Sequence, residues 1–177
     1  MKRPMSKLAD EIKQTKPFDS PRQEASIALL RTADMLRRHA SQLVEPEGIT
    51  LQQYNVLRIL RGAGPDGLPT LEIGNRMVEE VPGITRLVDK LERRKLLERE
   101  RSISDRRSVI CRITSSGKKL LERLDRPIKE IDNDMLSVLS NVEVERLLKL
   151  LDALRAELGA RRAKQQQSEE RRPRSRK

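Results

Sequence analysis

The sequence predicts a mainly α fold of the α+β class: a winged helix-turn-helix with one long helix before it and two long helices after it. Three observations support this fold. Apolar residues recur at helical spacing along most of the chain, the spacing changes to alternation near residue 109, and a charged turn precedes that change. The flanking helices carry more leucine than one small domain can bury, so we expect them to be dimerisation helices.

Residues 1–19 are charged with weak apolar periodicity, and they are expected to form a flexible N-terminal extension. The first dimerisation helix is assigned to residues 20–48. Ser20, Pro21 and Gln23 supply a cap, a proline in the first turn and a glutamine at the third position, which together favour a helix start. The helix is expected to end near Val44. Its apolar seam consists of Leu29, Ala33, Leu36, Ala40 and Leu43.

Residues 49–114 are assigned to the winged helix-turn-helix. Thr50 and Gln53 form a capping box that opens a helix, and Gly62 is expected to close it. A loop then runs to Pro69, and Thr70 is expected to cap a short helix. The apolar residues of this short helix are Leu71, Ile73 and Met77.

The second helix of the helix-turn-helix begins near Ile84. Its apolar residues fall at i, i+3, i+4 and i+7, so they form one buried stripe. These residues are Ile84, Leu87, Val88 and Leu91. The opposite face is polar and is expected to point away from the core. It carries Thr85, Arg86, Asp89, Lys90 and Arg93.

The start of this second helix lacks the usual serine or threonine cap, because Val81, Pro82 and Gly83 precede it. Either Glu80 acts as a weaker acidic cap, or the first amide groups are left to bind a phosphate. The carboxylates of Asp89 and Glu92 would repel phosphate. They are expected to lie toward the edge of a DNA groove or to pair with Arg93.

A two-stranded ribbon follows this helix. Val109, Cys111 and Ile113 alternate as in a half-buried strand, whereas the incoming arm, residues 98–102, is almost wholly charged. Such an arm buries little, so the ribbon and its turn at 104–107 are expected to project into solvent as a wing. Cys111 is expected to be a small buried side chain rather than a redox switch.

The C-terminal dimerisation helices are assigned to residues 115–159. The first is expected to be kinked at Pro127, and Ser140 with Glu143 forms a capping box that opens the last helix. Residues 160–177 have no apolar period and are expected to form a disordered basic tail. This tail holds +6 of the net charge of +11, so any DNA-binding face on the folded part must be local.

Composition favours an anionic partner and excludes several classes of protein. There are 38 Lys and Arg residues against 27 Asp and Glu, and duplex DNA is the expected partner. The only aromatic residues are Phe18 and Tyr54, which counts against modules that stack on single-stranded bases. One cysteine and one histidine leave metal and nucleophile chemistry without partners, so neither an enzyme nor a cofactor is expected. No apolar run could span a bilayer, and a cytoplasmic location is expected.

In this order of elements the chain resembles the MarR family of bacterial winged helix-turn-helix transcription regulators, over roughly residues 20–158. The most specific parts are the helix segment Ile84–Glu92 and the pair Asp105-x-Arg107 followed by Ile113-Thr114. Gly117, with Leu120 and Leu121, completes the resemblance at the start of the next helix.

The resemblance implies an obligate dimer with a recognition helix in the major groove and a wing arginine in the minor groove. By position, Arg107 corresponds to the arginine at the wing tip and Asp105 to the carboxylate that holds it. Thr85 and Arg86 would face bases or phosphates. The family commonly senses a small molecule, or an oxidant through a cysteine in the first helix, where this chain has none.

The sequence therefore predicts a homodimeric, sequence-specific regulator, a repressor that binds a palindromic promoter site in double-stranded DNA. A small apolar or amphipathic effector is expected to release it, if any effector does. Two alternatives stay open: a non-specific architectural DNA-binding protein, and a winged-helix module that binds proteins. The predicted DNA-binding residues are Pro82, Gly83, Thr85, Arg86, Lys90, Asp105, Arg106 and Arg107.

Overall fold

The computed structural model describes residues 6–101 and 108–170, with side chains described up to residue 168. These residues form seven α-helices, a short 3-10 helix (Glu45–Glu47) and one three-stranded antiparallel sheet. The chain divides into two compact units, Met1–Ile131 and Asp132–Lys177. The helices are α1 (Lys7–Glu11), α2 (Pro21–Val44), α3 (Leu51–Ala63), α4 (Thr70–Asn75), α5 (Ile84–Arg93), α6 (Ser115–Leu136) and α7 (Asn141–Glu170). The strands are β1 (Leu68–Pro69), β2 (Leu97–Arg101) and β3 (Val109–Ile113).

The core of the first unit joins the end of α2, the inner faces of α3 to α6, and the sheet. Its apolar stripes have the spacing that the sequence predicts, and the stripe of α5 is buried against this core. The largest fully buried side chains are Leu57, Leu60, Ile73, Leu91, Leu97 and Leu121. This core fixes the orientation of α5.

The sheet has the strand order β1-β3-β2, so β3 lies at its centre. The sequence predicted only the two strands of the ribbon, β2 and β3, and a loop as far as Pro69. That loop prediction was wrong at its end, where Leu68 and Pro69 form β1. β1 has two residues and therefore no alternation to detect; it is defined by its pairing with β3, where Leu68 lies opposite Cys111. Gly67 permits the approach, because a Cβ there would lie 2.3 Å from the Cys111 carbonyl oxygen.

The predicted capping boxes are confirmed, but two helix ends differ from the prediction. Thr50 Oγ1 accepts from the Gln53 amide at 3.2 Å, and the Gln53 side chain accepts from the Thr50 amide at 2.9 Å. Helix α3 ends one residue beyond Gly62, and Gly64 (φ 76°) is its C-cap. Of these two glycines, Gly64 is the one with a positive φ, which a side chain would disfavour.

Thr70 is the first residue of α4 and not its cap. Pro69 holds the cap position, and the Thr70 hydroxyl donates instead to the Val109 carbonyl oxygen at 3.4 Å. Met77 lies beyond the end of α4 at Asn75, although it still packs against the core. A tertiary contact with β3 has therefore replaced the local cap that the sequence suggested.

The predicted flexible extension, residues 1–19, contains a short helix from Lys7 to Glu11. Helix α1 is capped by the Ser6 hydroxyl, which accepts from the Ala9 amide at 3.4 Å. Ala9 is fully buried and Phe18 nearly so. These two buried apolar side chains are too widely spaced to give a periodic signal in the sequence.

Helix α6 is continuous through Pro127, and α7 begins after the predicted capping box of Ser140 and Glu143. Helix α7 extends to Glu170, so it includes the first part of the segment for which a disordered basic tail is predicted. Residues 160–170 are mostly strong helix formers, and Arg161 pairs with Glu157 at 2.7 Å in an i,i+4 contact. Among the described helices, none is both long and apolar enough to cross a bilayer.

Candidate nucleic-acid interface

Helix α5 presents a basic outer face. Leu87, Val88 and Leu91 are buried, whereas Thr85, Arg86, Lys90 and Arg93 on the opposite side are exposed. Arg86, Lys90 and Arg93 follow one another at i, i+4 and i+7, so they lie in one stripe along the helix. Within residues 6–101 and 108–170, none of these three side chains has a hydrogen-bond or ion-pair partner.

The start of α5 is exposed at Pro82 and Gly83. Gly83 (φ 90°) is the N-cap of α5. The alternative in which Glu80 holds the cap position is therefore wrong. The cap residue provides no side-chain hydrogen bond, because glycine has none to give. The cap residue itself therefore supplies no carboxylate or hydroxyl to the backbone amides of the first turn.

The C-terminal end of α5 is tied to the turn that follows α2. The Arg94 guanidinium donates to the Glu47 carbonyl oxygen at 2.9 Å and also to the Gly48 carbonyl oxygen. Glu47 in turn pairs through its carboxylate with Arg123 of α6 at 2.6 Å, and this hydrogen bond lowers the pKa of Glu47. The end of α5 is thereby linked to the turn after α2 and, through Glu47, to α6.

The acidic residues of α5 do not pair with Arg93, which corrects one of the predicted alternatives. Both bind Arg99 of β2: Nη1 lies 2.7 Å from Asp89 Oδ1, and Nε lies 2.9 Å from Glu92 Oε2. The hydrogen bond from Arg99 lowers the pKa of Glu92, so this carboxylate stays ionised at neutral pH. Sequence reasoning missed Arg99.

A signal for Arg99 was present in the register of the ribbon. Residues directly opposite each other in an antiparallel pair point to the same face, and Arg99 lies opposite the buried Cys111. An arginine side chain on the inward face of a strand needs hydrogen-bond acceptors on that face. Asp89 and Glu92 on the neighbouring helix supply them.

An open groove of about 530 Å³ lies between the start of α4, the start of α5 and the base of the ribbon. Thr85 and Arg99 line it together with Leu71 and Ser108. The groove thus adjoins the basic stripe of α5 on the side of the wing. The predicted wing residues Asp105, Arg106 and Arg107 lie outside the described residues.

Cys111 and Tyr54 belong to the hydrophobic core. Cys111 is fully buried, as predicted; its Sγ lies 3.5 Å from Thr70 Oγ1, and burial raises the pKa of the thiol. Tyr54 is a core residue with Arg58 stacked 5.8 Å from its ring centre, and burial raises the pKa of its hydroxyl. The described residues contain no cluster of three or more potential metal ligands.

Comparisons with known proteins agree with this geometry. The MarR family model matches residues 49–109. The HTH-type transcriptional regulator MhqR of Bacillus subtilis is 34% identical over 126 residues, which cover 71% of this chain and 85% of MhqR.

Two solved structures share the fold and more than a quarter of the aligned residues. The DNA complex of S. aureus MepR superposes with a TM-score of 0.69 at 27% identity, covering 75% of this chain and 96% of MepR. PcaV of Streptomyces coelicolor, in complex with its natural ligand, superposes with a TM-score of 0.61 at 28% identity, covering 71% of this chain and 89% of PcaV. The chain therefore belongs to the MarR family and is a DNA-binding transcriptional regulator rather than an enzyme.

Proposed function

We propose that the protein binds a palindromic promoter site as a homodimer, through α5 in the major groove, and represses transcription by excluding polymerase. The observation that carries this proposal is the exposed stripe of Arg86, Lys90 and Arg93, which has no acidic partner within the described residues. A helix of this width fits the major groove, and Arg86 can bind guanine O6 and N7 through two hydrogen bonds. Lys90 and Arg93 are suited to phosphates.

The proposed contact set joins the start of α5 to the wing. Thr85 lies beside Arg86 on the exposed face, and the amides after Pro82 and Gly83 are suited to a phosphate. Asp105, Arg106 and Arg107 remain predictions from the sequence, with Arg107 in the minor groove. We expect Arg107→Ala to weaken binding about tenfold or more, as for loss of a charged hydrogen bond.

Exposed apolar side chains support the homodimer. In the single chain, Leu30 of α2 is 73% exposed, and Leu150 and Leu158 of α7 are 59% and 64% exposed. Apolar surface of this extent on long helices favours a covering partner, and a second copy gives a twofold interface. Light scattering should give twice the chain mass of 20.4 kDa.

Two α5 helices related by a twofold axis would contact successive turns of the major groove, about 34 to 36 Å apart. Repression would follow from occupancy of the promoter. A small apolar or amphipathic effector would release the dimer; PcaV, a relative of similar fold, binds a natural ligand. Titration of the DNA complex with candidate metabolites would show release.

The test of the proposal is a binding titration. Genomic fragments that the protein selects are labelled, and fluorescence anisotropy compares the best fragment with a shuffled duplex of equal composition. We expect strong preference for the selected fragment, and about tenfold or greater weakening by Arg86→Ala, since a bidentate contact contributes about 1 to 3 kcal/mol.

Arg22→Ala serves as a matched control, because Arg22 is an exposed arginine on α2. It should bind as the wild type does. Equal affinity for both duplexes would instead indicate an architectural protein, and an absence of salt-dependent binding would indicate a protein-binding module. Either result would contradict the proposal.

A further inference from the structure

Arg99 lies at the junction of the wing and α5. It belongs to β2, opposite Cys111, and its side chain is 29% exposed. The guanidinium contacts two carboxylates at once, Asp89 through Nη1 at 2.7 Å and Glu92 through Nε at 2.9 Å and through Nη2. Arginine suits such a site, because its planar fork offers several donors where lysine offers one point charge.

The arrangement determines which charges on α5 remain available. Asp89 lies three residues after Arg86 and four before Arg93, and both spacings allow ion pairs along a helix. Neither pair forms; both acids of α5 turn to Arg99 instead. The helix thus offers three cations while its two anions are neutralised from the side.

We propose that Arg99 is a positioning residue for DNA binding: it neutralises Asp89 and Glu92 and so leaves Arg86, Lys90 and Arg93 to the DNA. The inference rests on the proposed DNA-binding face of α5. Without Arg99, two carboxylates would stand beside the phosphates and would compete for the same three cations. The role requires no contact between Arg99 and DNA.

A purely mechanical role for Arg99, as a tether between β2 and α5, makes opposite predictions. Removing the two carboxylates would break a tether and weaken DNA binding. If Arg99 acts by neutralisation, the same change removes the charges that it compensates, and binding should be at least as strong as in the wild type. The variants can therefore separate the two roles.

Four variants are compared by anisotropy on the selected fragment, at two salt concentrations, after thermal unfolding has shown that each is folded. They are Arg99→Gln, the double variant Asp89→Asn/Glu92→Gln, the triple variant that combines all three changes, and a charge-matched triple control. The control joins Arg99→Gln to Asp10→Asn and Glu11→Gln, which remove two exposed carboxylates on α1.

We expect Arg99→Gln to bind about tenfold more weakly than the wild type, which corresponds to about 1.4 kcal/mol. The triple variant should return to within about threefold of wild-type affinity, whereas the charge-matched control should remain about tenfold weaker. Rescue by Asp89→Asn/Glu92→Gln, and not by the remote changes, is the expected signature of local neutralisation.

The inference is overturned if the triple variant binds as weakly as Arg99→Gln, or if Asp89→Asn/Glu92→Gln alone weakens binding. The double variant Asp89→Asn/Glu92→Gln retains Arg99, so its affinity still tests the inference if Arg99→Gln does not fold. Arg86→Ala, measured alongside, separates the two proposals. If Arg86→Ala binds normally, the DNA-binding face itself is misplaced; if it binds weakly but no rescue occurs, only the role of Arg99 fails.

Discussion

Gly117 should stabilise the packing of α6 against the sheet, because this packing leaves no room for a Cβ. A Cβ at this position would lie 2.2 Å from the Leu96 carbonyl oxygen and 2.7 Å from Ile113 Cγ1. The carbonyl cannot easily withdraw, because it accepts from the Thr114 amide at 3.1 Å. Gly117→Ala must therefore displace the start of α6 by more than 1 Å or break this hydrogen bond, since ordinary Cβ contacts begin near 3.4 Å.

The magnitude follows from these two costs. Overpacking costs about 1 to 3 kcal/mol, and loss of the hydrogen bond about 1 kcal/mol more. The helix propensity of alanine offsets up to about 1 kcal/mol, which leaves a net loss of about 2 kcal/mol. For a chain of this size, that loss lowers Tm by about 4 to 8 °C.

The assay is thermal unfolding followed by circular dichroism at one fixed protein concentration, because a dimer's Tm depends on concentration. Gly62→Ala is the matched control. Gly62 lies within α3 with nothing within 4 Å of its would-be Cβ, so alanine there should stabilise by about 0.5 to 1 kcal/mol. A Gly117→Ala variant that unfolds at or above the wild-type temperature would show that α6 tolerates a Cβ at this position.

Three further predictions concern the fold. Thr50→Ala removes the capping box with Gln53 and should destabilise by about 0.5 to 2 kcal/mol in urea unfolding; an unchanged midpoint would contradict this. The hydrogen bond from Arg61 lowers the pKa of Asp125. Ionised Asp125 therefore stabilises the fold at pH values above the ordinary aspartate pKa, and this stabilisation is lost as pH falls through the lowered pKa of the folded state. Acid unfolding of Asp125→Asn should therefore lack this contribution to the pH dependence, and identical acid profiles would argue against it. The Cys111 thiol should react with a thiol reagent only after unfolding, because it is fully buried and its pKa is raised; rapid labelling of the native protein would contradict its placement.

The parts of the fold that depend on local pattern could be predicted from the sequence. The apolar stripe of α5 and the capping boxes at Thr50 and Ser140 involve residues within one or two helical turns, and all are present in the structure. Hydrophobic spacing and cap chemistry are local properties, so they do not require knowledge of the rest of the chain.

The features that the sequence did not reveal depend on contacts between distant residues. β1 exists because Leu68 pairs with Cys111, 43 positions away in the chain. Arg99 finds its acceptors on α5 only when the register of β2 is known. The extension of α7 to Glu170 was missed for a different reason, since a helix of polar residues has no apolar period.

In the proposed function, two copies of α5 contact two successive turns of the major groove. A chemical protection footprint of the full chain on its selected fragment shows which turns are contacted. We expect two protected major-groove segments related by a twofold axis and spaced by about 10 to 10.5 base pairs, both weakened together by Arg86→Ala. A single protected segment, or uniform protection that does not depend on sequence, would contradict the proposed function.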